Sequence, residues 1–230
     1  MNRWEQIDNA TLPDGDVMTL HRRGATTGGR LPEYSLRVAN VELMNSRQHG
    51  SEEQLASLAL RRAALGDGAA AVLVGGLGMG FTLRAALDLL PAHSHVTVAE
   101  LVPEVVAWHS THLGALAGEP LGDPRVAVAV GDVGELIRAS SATYDVILLD
   151  TDNGPEGTTQ EGNERLYDVA GLTAIRAALK PSGVAAVWSV FPSEAFTRRL
   201  TSLGFSVDVK YVRSRGKKGN RHVIWVAHRG

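Results

Sequence analysis

Cysteine is absent from all 230 residues. Disulfides and thiolate-held metal sites are thereby excluded, and a reducing compartment suits the chain. No apolar run reaches the ~20 residues needed to cross a bilayer. Residues Met1 to Asp16 are polar and acidic, with no charged-then-apolar leader pattern. A soluble, cytoplasmic protein is therefore expected. The formal charge is only −2, but it is uneven: residues 196–230 hold nine Lys or Arg and one acid, so the remainder is net acidic. A hydrophobic content of 44 % suffices for one α/β domain with a sizeable core and a small appendage.

What the chain does have is the stretch Val72 to Gly80, VLVGGLGMG, where an apolar run breaks into glycines and a helical pattern resumes at Phe81. It reads as a buried strand, a tight turn and a helix start. Gly76, Gly78 and Gly80, with Gly75 before them, leave the backbone bare where it turns and leave the first helix amides open to a ligand. Glu100 follows 20 residues after Gly80, at the end of the run His95 to Leu101. An acid at the tip of a second strand is placed to accept hydrogen bonds from a ribose diol. Together these features point to a nucleoside-bearing cofactor. The competing structural reading is that the glycines only allow close packing of helix on strand.

In chain order, Val17–Arg22 and Tyr34–Val41 alternate around a turn-rich stretch and predict a small β-hairpin within an extension spanning residues 1–49. Ser51 with Gln54 matches a capping box at the head of a helix running to Gly66. From there strands (70–75, 95–100, 126–130, 144–150, 184–190) alternate with helices (80–90, 103–116, 133–139, 164–179, 193–203). That alternation predicts a doubly wound, parallel Rossmann-like sheet over residues 50–230. The run YDVILLD ending at Asp150 reads as a central strand with its carboxyl end in the cofactor crevice. The polar segment Thr151–Asn163 is long for a compact domain and suggests a lid, or else a plain connection. The last two strands, Phe205–Val212 and His222–His228, flank the basic stretch Arg213–Arg221 as an edge hairpin.

These residues resemble the spermidine-synthase-like branch of the S-adenosylmethionine-dependent methyltransferase fold over about residues 40–230. The likeness is carried by VLVGGLGMG, Glu100, DPRV at Asp123–Val126, GDV at Gly131–Val133, YDVILLDTDNGP at Tyr144–Pro155, and the helix start GSEEQLASL. The resemblance implies a seven-stranded sheet of order 3-2-1-4-5-7-6, a homodimer, and no metal. It implies that Gly75, Gly76, Gly78 and Gly80 line the sulfonium nucleoside and that Glu100 holds the ribose. Asp132, with Val133, would meet the adenine. Asp150 would orient or accept the proton of an attacking amine, with Asp152 as its partner; otherwise Asp150 merely caps a strand. A small amine-bearing acceptor suits the acidic crevice of Asp132, Asp150, Asp152 and Glu156.

Two departures bear on the reaction. Polyamine-forming members carry an Asp at the position of Gly78, and their D-S-S-D-P stretch is here Asp150, Thr151, Asp152, Asn153 with Pro155 later. Without that Asp, the donor's ammonium loses a charge-assisted hydrogen bond of about 1.5 to 3 kcal/mol. The expected reaction is therefore methyl transfer from S-adenosylmethionine. The alternative is aminopropyl transfer from decarboxylated S-adenosylmethionine to putrescine. The basic stretch keeps a nucleic-acid methyltransferase or binding module as a weaker third reading, since no aromatic platform interleaves its charges. A nicotinamide-dependent oxidoreductase and a non-catalytic relative complete the alternatives. Gln48 and His49 are candidates to fold over the nucleoside, or else form a helix-entry turn. Glu53 aligns with a family acid but is equally explained by helix-end charge. His109 and His112, three apart, read as an exposed helix face rather than a metal pair. Tyr167 and Trp188 read as core or pocket-wall aromatics.

Overall fold

Within Ala71–Gly75, Val72 and Val74 project to one face of a sheet and Leu73 to the other, and all three are buried. That double burial requires helices on both faces. The computed structural model describes residues 3–24, 31–151, 154–156, 164–216 and 218–230, and it supplies them. After four N-terminal strands come α1 (Gly50–Ala63), β5 (Ala71–Gly75), α2 (Phe81–Leu89), β6 (His95–Glu100), α3 (Pro103–Trp108), β7 (Val126–Val130), α4 (Val133–Arg138) and β8 (Tyr144–Leu149). Then follow α5 (Glu164–Tyr167), α6 (Val169–Ala178), β9 (Leu179–Ser189), α7 (Glu194–Ser202), β10 (Phe205–Arg215) and β11 (Lys218–Arg229). The large sheet has the order β7-β6-β5-β8-β9-β11-β10, with β11 antiparallel to both neighbours. This is the predicted 3-2-1-4-5-7-6 order.

Each face has its own core. On one, Leu55 and Ala59 of α1 and Leu83 and Leu87 of α2 pack over Val72, Val74, Val98 and Leu148. On the other, Leu172, Ile175, Phe196 and Leu200 of α6 and α7 cover Leu73, Ile147, Val187 and Trp225. Trp225 is fully buried, its indole N–H donates to Thr197 Oγ1 at 2.8 Å, and Phe196 meets it edge-on. Tyr167 meets Phe196 in the same way, as a core aromatic.

The amino-terminal region holds more than a hairpin. β1 (Glu5–Thr11), β2 (Val17–Arg23), β3 (Glu33–Val38) and β4 (Val41–Asn45) form a four-stranded antiparallel sheet in sequence order. Its apolar face, Met18, Leu20 and Leu36, joins the core of α1 and α2. The Trp108 indole N–H donates to Asp8 Oδ2 at 2.8 Å and ties β1 to α3.

Several local expectations are corrected. The capping box is not formed: Ser51 Oγ donates to Glu52 Oε2 at 2.5 Å, and no side chain caps α1. The predicted helix 103–116 changes pitch after Trp108, becoming a π-turn over His109–Leu113 and then a 3-10 turn. The helix predicted over 164–179 breaks at Asp168, whose Oδ1 accepts from Gly171 N and starts α6. The two closing strands are longer than expected and take in most of the basic stretch: β10 runs to Arg215 and β11 starts at Lys218, with Arg213 opposite Arg221.

Candidate active site

The crevice lies at the carboxyl end of β5. Asp150 N donates to Gly75 O at 2.8 Å and Gly76 N donates to Ala99 O at 2.9 Å, so the ends of β5, β6 and β8 are held together. Gly76, at φ +89°, then turns the chain away, and a Cβ there would stand 2.5 Å from the Asp150 carbonyl oxygen. Gly78, at φ +49°, passes under Met44, and a Cβ would lie 2.8 Å from its Cε. Glu100, largely buried, braces this loop. Its Oε2 accepts from Leu77 N at 2.9 Å, and its Oε1 accepts from Val102 N at 2.9 Å. A carboxylate has about four acceptor directions, so bracing the loop is compatible with also receiving a ribose diol.

The cleft above the loop encloses about 750 Å³ counting its open mouth, and Gly76, Gly78, Glu100, Asp132, Val133 and Asp150 all reach it. Six of the predicted site residues are thus brought together. Gly75 and Gly80 stand behind the cleft: Gly75 lets Leu149 and Val133 close in, and Gly80 abuts His109 and Pro120. Asp132 also starts α4, its Oδ1 accepting from Gly134 N at 2.7 Å. The far wall comes from the small sheet, through Leu12, Met18, Leu36, Leu43 and Met44. Asp152 lies outside the described residues, as do positions 153 and 157–163 of the suggested lid.

A second cavity of about 1030 Å³ adjoins the first, and the two share Leu43, Met44, Asp150 and Thr151 as their common wall. Its other sides come from α1 (Ser51, Glu52), β9 (Trp188), β11 (Asn220, His222) and the turn holding Gln48. Trp188 and His222 stack with ring centres 4.7 Å apart. Burial lowers the His222 pKa, which favours the neutral ring. Asp150 Oδ2 accepts from the Thr82 hydroxyl at 2.5 Å, and Thr151 Oγ1 lies 2.6 Å from the Tyr167 hydroxyl. Trp188 is a pocket-wall residue, as expected. Gln48 lines this second cavity and accepts from Ser214 Oγ at 2.9 Å, whereas His49 turns away to stack on Phe81 and bond Glu53.

Glu52 is the member of this site that local sequence reading missed. It faces the second cavity, and burial, followed by the nearby Asp150 carboxylate, pushes its pKa up to about 7 against the opposing Ser51 bond. Read along the chain it is one of two acids in a helix's first turn, which the helix dipole alone explains. His109 is also corrected. The π-turn swings it inward, 4 % exposed, with Nε2 3.0 Å from the Gly78 carbonyl oxygen. Burial lowers its pKa, so it serves as a neutral donor fixing the glycine loop.

Residues 49–193 match the model of the spermine/spermidine synthase domain. A polyamine aminopropyltransferase 2 of Streptomyces coelicolor (strain ATCC BAA-471 / A3(2) / M145) is 35 % identical over 145 residues, 61 % of this chain and 25 % of that protein. A putrescine N-methyltransferase 2 of Nicotiana attenuata is 32 % identical over 114 residues, 49 % of this chain and 29 % of that protein. The chain therefore spans about a quarter of the length of these curated relatives. The crystal structure of a spermidine synthase from Thermotoga maritima superposes with a TM-score of 0.73 at 17 % identity, covering 100 % of this chain and 75 % of that one. At that identity the likeness speaks to fold alone. With the family model matched over more than half of this chain, the chain belongs to the spermine/spermidine synthase domain family.

Proposed function

We propose that this chain transfers the aminopropyl group of decarboxylated S-adenosylmethionine to a small alkylamine of the putrescine class. The observation that carries the reading is the position of Asp150, in the wall shared by the glycine-loop cleft and the acid-lined second cavity. A nucleoside over Gly76 and Gly78, with its ribose on Glu100, directs its sulfonium carbon toward that wall. An amine in the second cavity approaches from the other side. Its nitrogen lone pair forms the new C–N bond while the C–S pair returns to sulfur, leaving a neutral thioether. The sulfonium needs no activation, so the protein's task is alignment and removal of one ammonium proton, which Asp150 accepts.

The family match and the aminopropyltransferase relative favour this transfer over the methyl transfer that Gly78 alone suggests. One observation still supports methyl transfer as a second reading: the space an Asp side chain would use at position 78 is taken by the Met44 thioether. Thermal unfolding with separate donors decides between them. A ligand at 100 times its Kd adds about 2.7 kcal/mol, or roughly 5 to 10 °C for a chain of this size. Stabilisation by decarboxylated S-adenosylmethionine and methylthioadenosine is expected. Stabilisation by S-adenosylmethionine and S-adenosylhomocysteine in their place would transfer the assignment to methylation of the same acceptor.

A further inference from the structure

We infer that Glu52 is the second carboxylate of the acceptor cavity, bracketing the incoming nitrogen opposite Asp150 and making the site selective for acceptors that arrive as cations. This rests on the proposed amine-acceptor reading and adds the group that sets its selectivity.

The geometry singles out Glu52 among the acids nearby. Glu42, from β4, also lines the cavity, but its Oε2 accepts from Ser35 Oγ at 2.7 Å, its Oε1 accepts from Asn45 Nδ2 at 2.7 Å, and Arg37 approaches at 3.9 Å. Its charge is already balanced. Glu53, the next residue of α1, points out of the cavity and bonds His49 Nδ1 at 2.7 Å. His222, facing in from β11, has its pKa lowered by burial. Glu52 holds one short bond from the Ser51 hydroxyl, and among the described residues no Lys or Arg pairs with it. Thr82 knits the two carboxylate-bearing elements together: its Oγ1 lies 2.5 Å from Asp150 Oδ2 and 3.4 Å from the Glu52 carbonyl oxygen. Two half-buried carboxyl groups thus face one cavity, and among the described residues that line it none is a Lys or Arg.

Such an arrangement disfavours ionisation of both groups in the empty site. An alkylammonium placed between them reverses the balance by bringing positive charge to both. Glu52 then sheds its proton to solvent as the cation enters, and the ammonium keeps its own proton until Asp150 takes it. A neutral acceptor, such as an alcohol, offers no such compensation.

The sign of the pH dependence follows. Glu52 ionises at about 7 in the fold, above an ordinary carboxyl. Below that pH it is protonated, and affinity for a cation falls. Its raised pKa also favours the folded state at acid pH, an advantage lost as pH climbs to about 7.

The test is calorimetric titration of putrescine into the full chain saturated with methylthioadenosine, for wild type, Glu52→Gln and Glu52→Asp. Wild type is expected to weaken as pH falls from 8 to 6, releasing up to about one proton per amine at pH 6.5. Glu52→Gln should bind putrescine about 10- to 100-fold more weakly at pH 8, release no proton, and keep its methylthioadenosine affinity. Its unfolding midpoint at pH 8 should rise by a few degrees, because a desolvated like charge is gone. Glu52→Asp, which keeps the charge, should retain the acid limb. Equal putrescine affinity and proton release in wild type and Glu52→Gln would overturn the role of Glu52 while leaving the amine acceptor standing. Wild type that binds methylthioadenosine but no putrescine at pH 8 would overturn the acceptor reading itself.

Discussion

Asp150→Asn is expected to lower turnover by about 10²- to 10⁴-fold, the range over which a positioned general base acts. Asn keeps the shape of Asp, so the backbone bond from residue 150 to Gly75 O persists. What disappears is an anion able to take a proton from an ammonium and to stand beside a cationic sulfur. The Thr82 hydroxyl, now 2.5 Å from Oδ2, can still bond the Asn amide oxygen. Stability should therefore change little. Single-turnover kinetics with decarboxylated S-adenosylmethionine and putrescine, set beside methylthioadenosine affinity, separate the cases. Turnover within threefold of wild type would remove Asp150 as the base, and lost nucleoside binding would make it a structural residue of the donor cleft.

The second large effect is structural. Gly76→Ala should destabilise the protein by about 2 to 5 kcal/mol and abolish nucleoside binding. The left-handed conformation costs a side-chain-bearing residue about 1 to 2 kcal/mol. The new methyl would also stand 2.5 Å from the Asp150 carbonyl oxygen, a backbone atom held in the strand ladder. Relieving that overlap means parting β5 from β8, at about 1 to 3 kcal/mol. Gly78→Ala is the internal comparison: its obstacle is the Met44 Cε at 2.8 Å, the end of a flexible side chain, so a loss of only about 1 to 2 kcal/mol is expected. Unfolding midpoints should separate the two variants by roughly 2 to 12 °C. Midpoints within 2 °C would show that the Gly76 turn yields without cost.

The parts of the fold legible in the sequence are those set by local rules. β5 and β8 announce themselves as apolar runs because both faces are covered, and the glycines after β5 mark the turn because few other residues adopt it. Glu100 is legible from its distance to that turn. The small sheet was half visible, since β1 reads EQIDNAT and leaves mainly Ala10 buried, and β4 pairs with β3 across a bulge. Such strands are defined by their partners more than by their own pattern. Glu52 and Asp150 lie 98 residues apart, and only the packing of α1 against the sheet makes them neighbours. The π-turn that buries His109 likewise has no local signature, so a three-residue histidine spacing reads as a surface. Gly78 taken alone points to methyl transfer, because it takes one carboxylate out of the loop, whereas residues 49–193 as a whole match the spermine/spermidine synthase domain.

The wall that separates the two cavities is also what joins them. Asp150, Thr151, Leu43 and Met44 present one surface to each side, so a molecule that shifts any of them in one cavity reshapes the other. Two ligands bound across such a partition are tied by a single coupling free energy. Whatever factor the nucleoside imposes on the affinity for the amine, the amine must impose on the nucleoside.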